Sequence, residues 1–210
     1  MRQRLRDVLF DTEDETWNAG EKDDIVGMAV RRLSRRMPRP ISTDDTNAAI
    51  TLVTATYYYS VNSQYTQVDA VAYENSDSDW IGYMQSGWEV EGDLWAGTGK
   101  LHVSPTTVEQ LGTLYIRGQG RYTLPNDADA DQSAAILDDH VPVVLAWART
   151  EAYRRMLSDR ARFRQWQNAN QTQNVSINEL VQMVADADRQ ADDEWLQLRQ
   201  WQRPVIGRIG

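Results

Sequence analysis

The chain has no cysteine. That excludes disulfides, thiolate metal sites and cysteine nucleophiles together. Only two histidines, His102 and His140, occur in 210 residues, so imidazole chemistry has little material to work with. No run of about 18 apolar residues is present, and nothing reads as a membrane span. The opening stretch MRQRLRDVLFDTEDE lacks the apolar core of a secretory signal. Internal repeats and low-complexity tracts are also missing. These absences lead to the expectation of a protein of the cytoplasm, or of a particle assembled there, with no membrane partner and no cofactor.

Basic residues are scarce in one region. Residues 42–146 carry 3 basic and 15 acidic side chains, against 9 and 8 in residues 1–41 and 10 and 8 in residues 147–210. The net charge of -9 argues against general coating of nucleic acid. An acidic middle serves as a soluble surface, as a face kept clear of anions, or as a dock for a basic partner.

The size and an apolar content of 41% suit one generous domain, or one domain with an insertion. Three zones differ in periodicity. In EDETWNAGEKDDIVGMAVRRLSRRM, Trp17, Ile25, Met28, Ala29 and Leu33 recur near helical spacing, with acids early and arginines late. That charge order suits the helix dipole, and Pro38 and Pro40 end the helix. The second zone changes to period two. VTATYYYSV alternates Val53, Ala55, Tyr57, Tyr59 and Val61 with polar neighbours, as on a half-buried strand. VDAVAY, DWIGYMQ, WEVEG and GKLHVS read as further strands, and Trp80, Trp88 and Trp95 are expected to pack one face of the sheet. TLYIRGQGRYTL reads as a hairpin turning at Gly118–Gln119–Gly120. The third zone is helical again. DDHVPVVLAWARTEAYRRMLSDRARFRQWQ reads as one helix with Asp139 as N-cap and Pro142 in its first turn. SINELVQMVADADRQADDEWLQLRQWQ follows. Ser176 and Glu179 form a capping box, and Ile177, Leu180, Val184, Ala187, Ala191, Trp195 and Leu198 form its apolar stripe.

The expected fold is α+β. A helical framework, consisting of the N-terminal helix and two long antiparallel C-terminal helices, carries an inserted antiparallel β domain and an extended C-terminal arm. The expected segments are 1–41 (helical), 42–135 (β-rich), 136–202 (helical hairpin packing with the N-terminal helix) and 203–210 (arm). In the arm, Pro204 stops the preceding helix. Val205, Ile206 and Ile209 then need a covering surface, Gly207 allows close approach, and Arg203 and Arg208 can pair with acids.

His102 and His140 have no neighbour in sequence at triad or ligand spacing. Glu89 and Glu91, beside Trp88 and Trp95, offer the residue types of glycoside hydrolysis without a defined geometry. GTGK at Gly97–Lys100 lacks the first glycine, the hydroxyl residue and the helix of a phosphate loop. Asp127, Asp129 and Asp131 have the spacing of a calcium loop with Asp138 at the twelfth position. Gln132 stands where such a loop needs glycine, and the twelfth position is not glutamate. Arg31, Arg32, Arg35, Arg36 and Arg39 make a basic cluster suited to an acidic partner or to phosphates. No metal, catalytic residue or enzyme activity is expected.

The whole pattern resembles the head-to-tail connector, or adaptor, proteins of tailed bacteriophages. It is carried by the acidic-to-basic helix at 13–37, the β insertion at 51–124 and the helix VPVVLAWARTEAYRRMLSDRARFRQW. The second long helix and the extended tail after Gln202 complete it. The resemblance implies a structural protein of the virion neck, forming a homo-oligomeric ring, typically of twelve copies, below the portal. It implies a portal-binding arm at Arg203, Pro204, Val205, Ile206, Gly207, Arg208 and Ile209, and a stopper or tail protein below. Double-stranded DNA would pass through the ring without sequence-specific contact. On that reading Arg31, Arg32, Arg35, Arg36, Arg154, Arg155 and Arg162 make inter-subunit or partner contacts, and Asp127, Asp129 and Asp131 face the channel. The alternative is a small nucleic-acid-binding or regulatory module using the basic N-terminal helix.

Overall fold

The computed structural model describes residues 16–45, 48–77, 80–123, 136–169 and 175–201. Its elements run α1 (Ala19–Arg36), β1 (Arg39–Ile41), β2 (Ala49–Thr51), β3 (Tyr58–Ser60), β4 (Tyr65–Glu74), β5 (Trp80–Tyr83), β6 (Trp88–Glu91) and β7 (Lys100–Val103), then α2 (Pro105–Glu109), β8 (Thr113–Gly120), α3 (Val141–Ser158), α4 (Arg160–Ala169) and α5 (Ile177–Trp201). The fold is α+β. Its contacts divide the chain into a helical unit, residues 1–33 with 123–210, and a β unit, residues 34–122. The division falls within α1, ahead of the boundary at residue 41 suggested by composition. It falls again after Tyr122, ahead of the boundary at residue 135.

In the helical unit α1 begins with a reciprocal cap. Asn18 N donates to Glu21 Oε2 at 3.0 Å and Glu21 N donates to Asn18 Oδ1 at 2.9 Å, satisfying two N-terminal amides. Of the predicted set, Trp17, Ile25, Ala29 and Leu33 are buried and Met28 is half-buried. Helix α3 is buried on most of its circumference, with Val143, Val144, Trp147, Ala148, Ala152 and Met156 all covered. It packs along α5, which buries Leu180, Ala187, Ala191 and Leu198. Trp147 of α3 meets Trp195 of α5 with ring centroids 5.7 Å apart.

Two readings of this region are corrected. Asp139 is not the N-cap, because Asp138–His140 forms a 3-10 turn and α3 starts after it. The long helix from residue 141 is two helices broken at Asp159, whose backbone is extended at φ -125°, ψ 98°. The cause is local. Asp159 Oδ1 accepts from the amides of Ala161 and Arg162 at 3.0 and 3.2 Å, capping α4, and a cap residue leaves the helical conformation.

The β unit holds a five-stranded antiparallel sheet and a three-stranded one. In the first, β4 separates β8 from β5, while β1 and β2 pair successive stretches of β8. In the second the order is β3-β7-β6. One apolar core takes Tyr65, Val71, Leu114 and Ile116 from the first sheet and Tyr59, Leu101 and Val103 from the second.

Three further readings change here. VTATYYYSV is a strand only from Tyr58. Upstream the chain turns, with Ala55 at φ 60°. The Tyr59 hydroxyl fixes that turn by accepting from Val53 N at 3.0 Å and donating to Thr56 O at 2.7 Å. Gly118–Gln119–Gly120 is not a hairpin turn but the end of one continuous strand, β8. Gly118 is there for close approach, since a Cβ on it would stand 2.1 Å from Gln67 O, beside an irregularity in β4 between Val68 and Ala70. The tryptophans do not share a face. Trp80 lies in β5 of the larger sheet, Trp88 in β6 of the smaller, and Trp95 in the β6–β7 connection.

Candidate functional site

The sequence-predicted residues fall into three groups. The arm (Arg203, Pro204, Val205, Ile206, Gly207, Arg208, Ile209) and the acids Asp127, Asp129 and Asp131 lie outside the described residues. The predicted arginines of the helical unit are described, and they meet partners within the same chain. Arg155 bonds Asp24 at 2.6 Å and Glu151 at 3.0 Å. Burial works against its charge, yet these bonds raise its pKa above the ordinary value. Arg162 bonds Glu21 at 2.6 Å and lies 4.3 Å over the Trp17 ring. Arg154 reaches Asp188 of α5 at 2.7 Å, and Arg32 lies 4.6 Å over the Trp147 ring. Arg31 is largely exposed, 3.7 Å from Asp24. Near-surface pairs of this kind each contribute about 0.2–1 kcal/mol. Their combined effect here is to tie α1 to α3 and α4, and α3 to α5. In the β unit, Arg35 and Arg121 flank the Trp95 ring at 5.5 and 5.1 Å, a cation–π arrangement.

Helix α5 leaves Ile177, Val181 and Leu196 half exposed, together with Asp192 and Asp193. Helix α4 exposes Arg160 and Arg164. Arg189 and Arg199 are exposed on α5 as well, so its outer surface combines apolar residues with charges of both signs.

The β unit contains two polar constellations. The first is an open cleft of about 630 Å³ lined by Arg39, Asp45, Asp69, Tyr83, Arg117 and neighbouring backbone. Arg39 pairs with Asp45 at 3.3 Å, both side chains nearly covered, and its other donor meets Gln64 at 3.3 Å. The second is a row across the small sheet. The register places Tyr58 opposite His102 and His102 opposite Glu89. His102 Nδ1 lies 3.2 Å from Glu89 Oε1, and the imidazole stacks on Tyr58 with centroids 4.7 Å apart. Glu91 lies two residues along β6, so its side chain shares that face. One ligand atom from each of Glu89, Glu91 and His102 lies within 4.8 Å of the others.

This corrects the expectation that His102 has no partner at ligand spacing. Thirteen residues separate it from Glu89, and only the β6–β7 register joins them. The signal in the sequence was the shared alternation of Glu89/Glu91 and Lys100/His102, which places each pair on one face. His140 is buried at the start of α3, and burial lowers its pKa. The glycine loop at residue 97 is a turn between β6 and β7. Among the described residues, no helix is long and apolar enough to cross a membrane.

Compared with known proteins, the chain matches no family model, no curated protein and no solved structure.

Proposed function

We propose that the protein is a structural component of a tailed-phage virion, a head-to-tail adaptor that assembles as a ring beneath the portal and leaves DNA a passage. The observation that carries this reading is the division of the chain. Both flanks build one helical unit and residues 34–122 form a β unit between them, the arrangement that the resemblance implies. The last described helix, α5, runs to Trp201, two residues before Arg203, where the proposed portal-binding segment begins. The half-exposed Ile177, Val181 and Leu196 of α5, with charges of both signs beside them, also suit contacts between identical copies. The reading of the N-terminal helix as a nucleic-acid binder draws less support, because Arg32 and Arg35 are seated over tryptophans.

The test is native mass spectrometry of the protein mixed with its cognate portal. A ring-on-ring complex, lost when residues 203–210 are deleted while the melting temperature stays nearly unchanged, supports the adaptor. A small oligomer that ignores the portal and shifts only on adding nucleic acid overturns it.

A further inference from the structure

We infer that Glu89, Glu91 and His102 form a divalent transition-metal site of the zinc type on the outer face of the small sheet. The face opposite carries Tyr59, Leu101 and Val103 into the core, so the strand alternation commits these three side chains outward. The ligand set is one imidazole nitrogen and two carboxylates. That mixture suits zinc and its neighbours better than magnesium or calcium, which prefer all-oxygen cages.

The geometry is close to what coordination needs. Ligands about 2.0–2.2 Å from a tetrahedral ion stand about 3.3–3.6 Å apart. The His102–Glu89 separation is already 3.2 Å. The remaining atoms lie within 4.8 Å, and the Glu89 side chain is about two-thirds exposed at 64%, so rotation of a carboxylate closes the gap without moving backbone. His102 is the fixed element. Its ring is 30% exposed and stacked on Tyr58, while Tyr58 itself is 49% exposed. An outward tyrosine in cross-strand register with the histidine holds the imidazole plane in place. Lys100, the cross-strand partner of Glu91, is the cation that a bound metal must outcompete. Three protein ligands leave a fourth position toward solvent, open to water or to a donor from another molecule. Bound metal would bridge β6 to β7.

The presence of only two histidines makes the site separable by spectroscopy. The full-length, untagged protein, labelled with 15N at histidine, is titrated with ZnCl2. The expected result is saturable binding of one equivalent, with the His102 ring nitrogens shifting and those of buried His140 unmoved. Glu89→Gln and Glu91→Gln should each weaken binding by about tenfold or more. Zinc should raise the melting temperature of the wild type and leave that of His102→Ala unchanged, since a ligand that binds only the folded state stabilises it. Tyr58→Leu keeps the ligands and removes the stack, and should weaken binding less than loss of a carboxylate. His102 resonances unmoved at about 1 mM zinc, a limit equivalent to barely 4 kcal/mol, overturn the site. So does unchanged affinity in both glutamine variants, which would mean adventitious binding elsewhere. If His102→Ala fails to fold, the glutamine variants still decide the matter.

Discussion

The two units hold themselves together by different means. In the helical unit, long side chains do the joining. Arg155, Arg162 and Arg154 reach acids on other helices, and Trp147 is enclosed by Trp195 and Arg32. In the β unit, the joining is by backbone proximity and phenol groups. Gly118 lets β8 approach β4, Tyr65 donates to Ile116 O at 2.9 Å, and Tyr73 donates to Leu111 O at 2.5 Å. A helix satisfies its own amides and needs only side chains to dock. A sheet must bring two main chains together, and its side chains then have to accommodate that approach. The two units should therefore fail under different insults.

The largest effect is expected at Gly118. Gly118→Ala sets a Cβ against the backbone of Gln67 in the strand that pairs with β1, β2 and β4. A clash with main chain in a central strand belongs among the exceptional losses, above about 4 kcal/mol. Circular dichroism should show loss of sheet signal and of its melting transition, with the helical signal at 222 nm largely kept. Simultaneous loss of both signals would show that the units do not fold independently.

Trp147→Ala tests the other side. Trp147 is 2% exposed and joins α3 to α5. Its removal should cost about 3–5 kcal/mol and lower the helical transition, leaving sheet signal in place. A melting curve shifted by less than a degree or two would mean that Trp195 and Arg32 close over the space.

Tyr65→Phe should cost less, about 1–2 kcal/mol, because Ile116 O loses its donor. It also carries a pH signature. Burial pushes the Tyr65 pKa strongly upward, and Tyr73, Tyr115 and Tyr122 of the same unit are raised as well. A group whose folded pKa is raised contributes stability that is whole below its unfolded value, near 10, and is lost as pH rises through the folded value. The β unit should thus weaken above about pH 10, and Tyr65→Phe should flatten that alkaline limb in denaturant titrations. In the helical unit Tyr153 is raised, so an alkaline limb there should be shallower. Equal limbs in both transitions would count against the distinction.

The same difference decided what could be read from the sequence. Helical stripes, the Ser176–Glu179 box and the buried Leu180, Ala187, Ala191 and Leu198 of α5 depend on residues three or four apart, and they were legible, although Ile177, read into the same stripe, is half exposed. So were β6 and β7, by alternation. The GQG stretch misled because glycine marks close approach as well as turns, and only the position of β4 distinguishes the two. The turn at Ala55 depends on the hydroxyl of Tyr59, and the break at Asp159 on a cap competing with helix continuation. The pairing of His102 with Glu89 was hidden for a similar reason, since cross-strand register is a tertiary fact. The arm and acidic loop, which bear most on the adaptor reading, lie outside the described residues.

The smallest effect separates the units at the acidic end. Ser176 N donates to Glu179 Oε2 at 2.6 Å and Glu179 N donates to Ser176 Oγ at 3.2 Å. The Ser176 amide bond, with the hydroxyl contact beside it, lowers the Glu179 pKa below its ordinary 4.5. A lowered carboxyl contributes stability present above the unfolded value and lost as pH falls through the folded one, because the unfolded chain takes up the proton first. His140, lowered by burial from 6.5, acts in the same direction but higher, its contribution declining once pH drops below 6.5. The helical unit should therefore soften in two stages toward acid. Glu179→Gln isolates the second stage, because glutamine can still close the capping box but does not titrate. Near pH 7 the variant should be slightly less stable than the wild type, because it lacks the ionised carboxylate of the cap. Below about pH 4.5 its helical transition should depend less on pH than that of the wild type, with the decline beginning at 6.5 retained. If denaturant titrations instead find the two equally sensitive below pH 4.5, the α5 cap is not what acid dismantles.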